Sequence, residues 1–362
     1  TWKKSENKSA MPVSRRRKQG IGKKFHSQSK IMKTIECRLC KRKCRLVEGQ
    51  RGDCRVRVNL DGKLQTLVYG KPCSVHVDPI EKKPLFHVLP ATAAFSIATA
   101  GCNLHCKFCQ NWEISQRAPE ETENYDLPPE RVVEEAIKNR CHSIAYTYSD
   151  PIIFYEYMLD TAKLAKQKKI LNLMITAGYI EQEPLLELCP YIDAANVDLK
   201  GITEEYYQKM CSAELQPVLD CNITMRKQGV WVELTNLIVP TWNDSEGDIR
   251  KLCRWVVDYL GPDVPLHFSR FWPQHQLKNL PPTPIGTLTM AWEIARKEGI
   301  HYTYVGNVPG HDGNNTFCPT DKKLLVKRIG YNILENNIVE GRCKFCQTKI
   351  PGIWEVQGGL HV

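Results

Sequence analysis

The chain has 362 residues, 42% hydrophobic and 25% charged, an ordinary globular make-up long enough for two domains or one large barrel with appendages. No uncharged apolar run approaches the ~18 residues of a membrane span, so a membrane partner is not expected. The net charge of +10 is concentrated in residues 1–33, which hold eleven Lys/Arg and one Glu; the remaining chain is neutral, which argues against a broad phosphate-binding face.

Residues 1–33 read as a disordered basic leader outside the fold. Ser14-Arg15-Arg16-Arg17 faintly echoes a twin-arginine export signal, but Lys23, Lys24 and His26 follow where an apolar segment is needed. Met11 and Met32 both read as alternative starts. Residues 34–90 form a small cysteine-cluster module with a strand-like run at 64–69. From 91 to 310, β-rich runs alternate with helical patterns. The predicted strands are 94–100, 143–148, 171–176, 193–199, 230–239 and 264–269, with a seventh at 301–306; helices are predicted at 128–140 and 154–168. This repetition predicts an α/β fold, a partial (β/α)6 TIM-like barrel with a parallel sheet and right-handed crossovers. Functional side chains then belong at the C-terminal strand ends. Cys102, Ser149-Asp150, Thr176-Ala177-Gly178, Asp198-Leu199-Lys200 and Pro240 to Asp244 all fall there, and His267 lies inside the sixth strand. Residues 311–362 form a ribbon-like metal-binding extension.

The sixteen cysteines fall into close clusters, which in a reducing cytoplasm read as metal or iron–sulfur ligands rather than disulfides. Cys102, Cys106 and Cys109 follow the first strand of the barrel. Three thiolates suit a [4Fe-4S] cluster with one iron left open for chemistry. Cys37, Cys40, Cys44 and Cys54 supply four sulfurs, enough for zinc or an auxiliary cluster, and their spacing does not choose between them. Near the C-terminus, Cys343 and Cys346 resemble half of a zinc ribbon. Cys318-Pro319-Thr320-Asp321 completes the set with a carboxylate in place of a thiolate, so a Cys3Asp zinc site competes with a knuckle held by packing alone. Cys73, Cys141, Cys189, Cys211, Cys221 and Cys253 read as core residues.

The loop around Cys102, Cys106 and Cys109 resembles the signature of the radical S-adenosylmethionine (radical SAM) superfamily. Longer stretches, among them 76–87, 144–165, 193–201, 265–273 and 304–319, are similar to the radical SAM component of the AmmeMemoRadiSam system, related to pyruvate formate-lyase activating enzymes. The resemblance implies an enzyme whose cluster cleaves S-adenosylmethionine reductively to a 5′-deoxyadenosyl radical that abstracts hydrogen from substrate. It implies a reductase, flavodoxin or ferredoxin as electron donor, and a small-molecule or protein substrate. It places Asp150 against the methionine ammonium, where related sequences often carry Glu; Asp150 also suits a helix N-cap before Pro151. Asp198 and Lys200, alternating along one strand, would contact S-adenosylmethionine, and an ordinary surface ion pair is the plain alternative. Phe108 could support the adenine or simply pack; His267 could bind the carboxylate or substrate, or sit satisfied in the core. Ala177 stands where the activating-enzyme pattern has Asn. Two other functions remain open at this stage. One is a glycyl-radical-enzyme activase acting on a partner protein, disfavoured by a cysteine module placed before the barrel. The other is a zinc-knuckle nucleic-acid binder, disfavoured by the neutral body; no nucleic acid is expected as partner.

Overall fold

The computed structural model describes residues 34–355, so the basic leader lies outside the described residues. One eight-stranded sheet organises the chain: β1 Ser74–Pro79, β2 Ala93–Ala98, β3 Ser143–Tyr146, β4 Leu171–Thr176, β5 Ala194–Asp198, β6 Trp231–Ile238, β7 Leu266–Arg270 and β8 Thr303–Gly306. They pair in that order. β1 is antiparallel to β2, and β2 to β8 are all parallel. β8 does not return to β1, so the barrel is open. Thus β1, although inside the cysteine-module segment of the sequence, completes the barrel sheet rather than standing apart.

The sequence pattern accounts for these elements. β3 reads Ser-Ile-Ala-Tyr with every residue buried, as expected of a parallel strand covered on both faces. Helices cross between the strands: α1 Pro129–Lys138, α2 Tyr155–Gln167, α3 Gln182–Leu188, α4 Gln216–Lys227, α5 Glu246–Leu260 and α6 Ile285–Lys297. α5 begins where the Ser245 hydroxyl accepts the Asp248 N–H, and it buries Ile249, Leu252, Cys253, Val256 and Leu260 along one stripe. The strands are shorter than their apolar runs. β5 stops at Asp198 because the Leu199 N–H bonds back to the Val197 carbonyl (2.9 Å) in a tight turn. Asp198 and Lys200 therefore do not alternate along one strand; the turn brings them together.

Two short hairpins, Ile35–Glu36 with Arg45–Leu46 and Arg57–Leu60 with Lys63–Thr66, carry the N-terminal cysteines. They press on the barrel loop at Gly101, whose φ of +92° and lack of a side chain are both required. A Cβ there would stand 2.4 Å from the Cys54 carbonyl oxygen. At the C-terminus, strands Thr316–Phe317, Leu324–Ile329 and Asn332–Asn336 form an antiparallel sheet. Arg328 ties it to the segment beside the barrel by donating to the Phe86 carbonyl (3.0 Å), while its bond to the Thr316 hydroxyl (2.8 Å) stays within the sheet. Ile353 then pairs its backbone with His87 and Leu89.

Candidate active site

The C-terminal strand ends surround a cavity of about 550 Å³, within the usual range for small-molecule sites. Cys102, Cys106, Cys109, Phe108, Asp150, Asp198, Lys200 and His267 all line it. All eight barrel residues singled out in the sequence are therefore brought to one place.

The cysteine loop is held by its own backbone and by short-range donors. Cys102 Sγ accepts the Leu104 N–H (3.4 Å), and Cys109 Sγ meets the Ser115 hydroxyl at 3.2 Å. Burial pushes the Cys102 thiol well up, an apo-state cost that a cluster removes by taking the thiolate. Hydrogen bonding to Cys211 and burial do the same for Cys106. Cys211, which reads as core from sequence, thus touches the signature loop while standing behind the cavity wall. The loop's backbone is tied to the same segment: the His105 and Lys107 N–H groups donate to the Cys211 (3.1 Å) and Met210 (2.9 Å) carbonyls. Only the pairing of distant segments could reveal that contact.

Asp150 follows the strand end at β3. It takes the Thr176 hydroxyl (2.9 Å) and the Ile152 N–H (3.1 Å) on Oδ1 and the Ala177 N–H (3.0 Å) on Oδ2. It caps the short helix at 151–154, so the capping reading holds. Three of the carboxylate's roughly four acceptor sites are used, which leaves one toward the cavity. Burial raises its pKa against these donors. Ala177 contributes its backbone N–H here, so the absent side-chain amide is not needed for the loop's geometry. Lys200 Nζ pairs with Asp198 Oδ2 at 2.9 Å and stands 5.7 Å from the Phe108 ring centroid. Burial opposes its charge, but the Asp198 carboxylate outweighs it and holds the ammonium protonated.

His267 lines the cavity and bonds Glu233 Oε2 through Nε2 at 2.7 Å. Glu233 also accepts the backbone N–H groups of Phe86 (3.0 Å) and His87 (2.8 Å). On the β1 side, Lys83 is buried between Asp78 (2.6 Å) and the Tyr148 ring, 4.4 Å from its centroid. Tyr148 sits at φ +66°, a strained setting for an aromatic residue, and its hydroxyl bonds Asp78. Lys83 and Tyr148 line the cavity beside His267, with Asp78 and Glu233 behind them as their partners; apart from His267, none is singled out in the sequence as a site residue.

The two flanking cysteine sets differ. Cys318, Asp321, Cys343 and Cys346 place their donor atoms within 4.8 Å of one another, the one such group of three or more Cys, His or carboxylate donors among the described residues. The Cys318 and Cys346 sulfurs are 3.5 Å apart. Cys37, Cys40, Cys44 and Cys54 instead surround a small cavity. A mononuclear zinc tetrahedron, with Zn–S about 2.3 Å, sets sulfurs about 3.8 Å apart, which the C-terminal set fits. Cys102, Cys106 and Cys109 form no group of that compactness.

Residues 96–255 match the model of the radical SAM superfamily. An uncharacterized protein of Methanocaldococcus jannaschii is 48% identical over 318 residues, covering 87% of this chain and 95% of its own. The 4-hydroxyphenylacetate decarboxylase activating enzyme of Clostridium scatologenes is 28% identical over 116 residues, 31% of this chain and 37% of that protein. Among solved structures, a radical SAM methyltransferase from Sphaerobacter thermophilus aligns with a TM-score of 0.48 at 14% identity, over 76% of this chain and 77% of that one. The chain belongs to one family with the archaeal protein and carries a radical SAM superfamily domain.

Proposed function

We propose that the protein is a radical SAM enzyme of the AmmeMemoRadiSam type, acting in the cytoplasm on a substrate that enters the open mouth of the barrel. The observation that carries this reading is the convergence of Cys102, Cys106 and Cys109 with Asp150 and Lys200 on one cavity. All sixteen cysteines are free, in keeping with a reducing compartment. Among the described residues no helix is long and apolar enough to cross a membrane.

A [4Fe-4S] cluster on the three thiolates would supply one electron to cleave bound S-adenosylmethionine and so start hydrogen abstraction. The protein's own residues do the rest. The remaining acceptor site on Asp150 receives the methionine ammonium in a charge-assisted hydrogen bond. The Lys200 ammonium, fixed by Asp198, faces the carboxylate. Phe108 gives the adenosyl group an apolar wall. His267, with Nε2 committed to Glu233, offers Nδ1 as an acceptor to a substrate donor, or as the imidazolium donates it to the carboxylate. Lys83 and Tyr148 shape the outer wall and help to exclude water from the reacting atoms.

The reading is tested by electron paramagnetic resonance of the reduced protein. S-adenosylmethionine is expected to shift the barrel cluster's signal; an unchanged signal would contradict binding at an open iron. A second reading, a glycyl-radical activase, is favoured by the similarity to the Clostridium scatologenes activating enzyme. It predicts a radical on a partner protein's glycine after incubation with reductant and S-adenosylmethionine.

The C-terminal set fits a Cys3Asp zinc site. Asp321→Ala is expected to lower bound zinc from about one equivalent toward zero, read by metal analysis of the purified protein. Zinc unaffected by the substitution would remove Asp321 from the ligand set, and a wild type that holds no zinc would return the knuckle to packing alone.

A further inference from the structure

We infer that Cys37, Cys40, Cys44 and Cys54 hold an iron–sulfur cubane, not zinc, and that electrons enter the barrel site through it. The inference rests on the radical SAM reading for the destination of the electron. The identity of the metal rests on the quartet itself.

The four cysteines line one cavity together with Arg42, Gly52, Arg57 and Asn103. They do not draw together as the C-terminal zinc-type ligands do, whose donor atoms all lie within 4.8 Å. In this the quartet matches the barrel-loop thiols. Gly52 borders the same sulfurs, at ordinary van der Waals distance: a Cβ there would stand 3.6 Å from Cys44 Sγ and 3.8 Å from Cys54 Sγ. The charge fits an anionic guest. The Asp53 N–H donates to Cys44 Sγ at 3.4 Å. Arg57 is 7% exposed and uses both terminal nitrogens on Glu156. Its Nε and the Nη2 of Arg42 are buried with no partner among the described residues. Unpaired buried guanidinium N–H groups beside four sulfurs are costly unless a negative centre faces them. Any four-thiolate centre supplies that charge, zinc or cubane alike, so the looser arrangement of the four sulfurs around their cavity is what selects the cubane.

The quartet sits directly behind the signature loop. Gly101 is pressed on the Cys54 carbonyl. Asn103 is fully buried; its side chain bonds Cys40 and lies 4.0 Å from Cys102 Sγ, and its own carbonyl accepts Arg42 Nε at 2.9 Å. One residue therefore bridges a sulfur of each set. Residues 34–57 carry eight Lys/Arg against three acids; Lys41 and Lys43 pair with Glu181, Arg51 with Glu120 and Arg57 with Glu156, while Arg38 and Arg45 share Glu36 and are 81% and 80% exposed. That face suits an acidic, low-potential electron-transfer protein of the ferredoxin class. In the relay the reduced donor loses one electron, the quartet's cluster takes it up and returns to its resting state on passing it across Asn103. No proton moves and no bond is made or broken.

The test begins with the full chain carrying Cys102→Ala, Cys106→Ala and Cys109→Ala, reconstituted anaerobically with iron and sulfide. It is expected to retain about four iron and four sulfide per chain. Its reduced signal should not respond to S-adenosylmethionine, because all four ligands come from the protein. Zinc in place of iron at the quartet would overturn the assignment. The second arm compares wild type with Cys37→Ala/Cys44→Ala, using reduced acidic ferredoxin as donor and dithionite as the control for an assembled barrel cluster. The barrel signal is expected to grow about tenfold more slowly in the variant with ferredoxin, normalised to dithionite. An unchanged ratio would overturn the relay. If the triple variant holds iron while the wild-type signal ignores S-adenosylmethionine, the radical SAM reading fails and the quartet's assignment stands.

Discussion

Glu233→Ala is expected to lower the unfolding free energy by about 3–5 kcal/mol, the range for removing one partner of a buried ionic network. Glu233 is fully buried on β6 and joins three segments by accepting from the Phe86 and His87 backbone and from His267. Burial pushes its pKa up, but His267 and the backbone donors outweigh that and hold it below the usual range. The same cluster makes the protein acid-sensitive. His87 Nδ1 donates to the Pro351 carbonyl and Nε2 accepts the Tyr304 hydroxyl, both at 2.7 Å, a pattern only the neutral ring satisfies. Burial lowers its pKa from 6.5 to about 4. Between those values the unfolded chain binds the proton that the folded one refuses, so stability falls as pH drops across that window and is flat for this group above it. The change from His87 is at most about 3 kcal/mol. Glu233 adds to it as pH falls through its lowered folded value. Urea midpoints from pH 7 to 3 read both effects. A flat profile, or a Glu233→Ala midpoint equal to wild type, would show that the network does not hold the strands together.

Asp150→Ala is expected to weaken S-adenosylmethionine binding by about 10- to 100-fold, the equivalent of losing one charged hydrogen bond worth roughly 1.5–3 kcal/mol. The same change strands the Thr176 hydroxyl and the Ala177 N–H, both of which donate to this carboxylate. Asp150→Asn separates the two effects. It keeps one oxygen for the Thr176 hydroxyl and the Ile152 N–H, strands only the Ala177 N–H and removes the charge, so it should bind the cofactor poorly while unfolding closer to the wild-type midpoint than Asp150→Ala does. Equilibrium dialysis with labelled S-adenosylmethionine measures the first and denaturation the second. Binding at wild-type strength in Asp150→Asn would remove Asp150 from the ammonium site.

The barrel was legible because parallel strands buried on both faces leave continuous apolar runs, and because its chemistry clusters at their ends. Cys102, Asp150 and Lys200 could be placed from that alone. What escaped depends on partners distant in sequence. Asp198 and Lys200 meet through a turn whose backbone hydrogen bond no side chain announces. Cys211 reaches Cys106 across more than a hundred residues. His267 gave no sign that Glu233, buried one strand away, would claim its Nε2. Lys83 and Tyr148 form a wall of the cavity, backed by Asp78, only because β1 joins the barrel sheet as an antiparallel edge strand. The boundary of the cysteine module at residue 90 concealed that pairing.

The most direct measurement is anaerobic quantification of 5′-deoxyadenosine after reconstituting the protein with iron and sulfide, reducing it with dithionite and adding S-adenosylmethionine, beside a Cys106→Ala control. The account predicts 5′-deoxyadenosine and methionine in equal amounts from the wild type and neither from the variant. Equal product from both proteins, or a wild type that assembles no cluster on Cys102, Cys106 and Cys109, would contradict it.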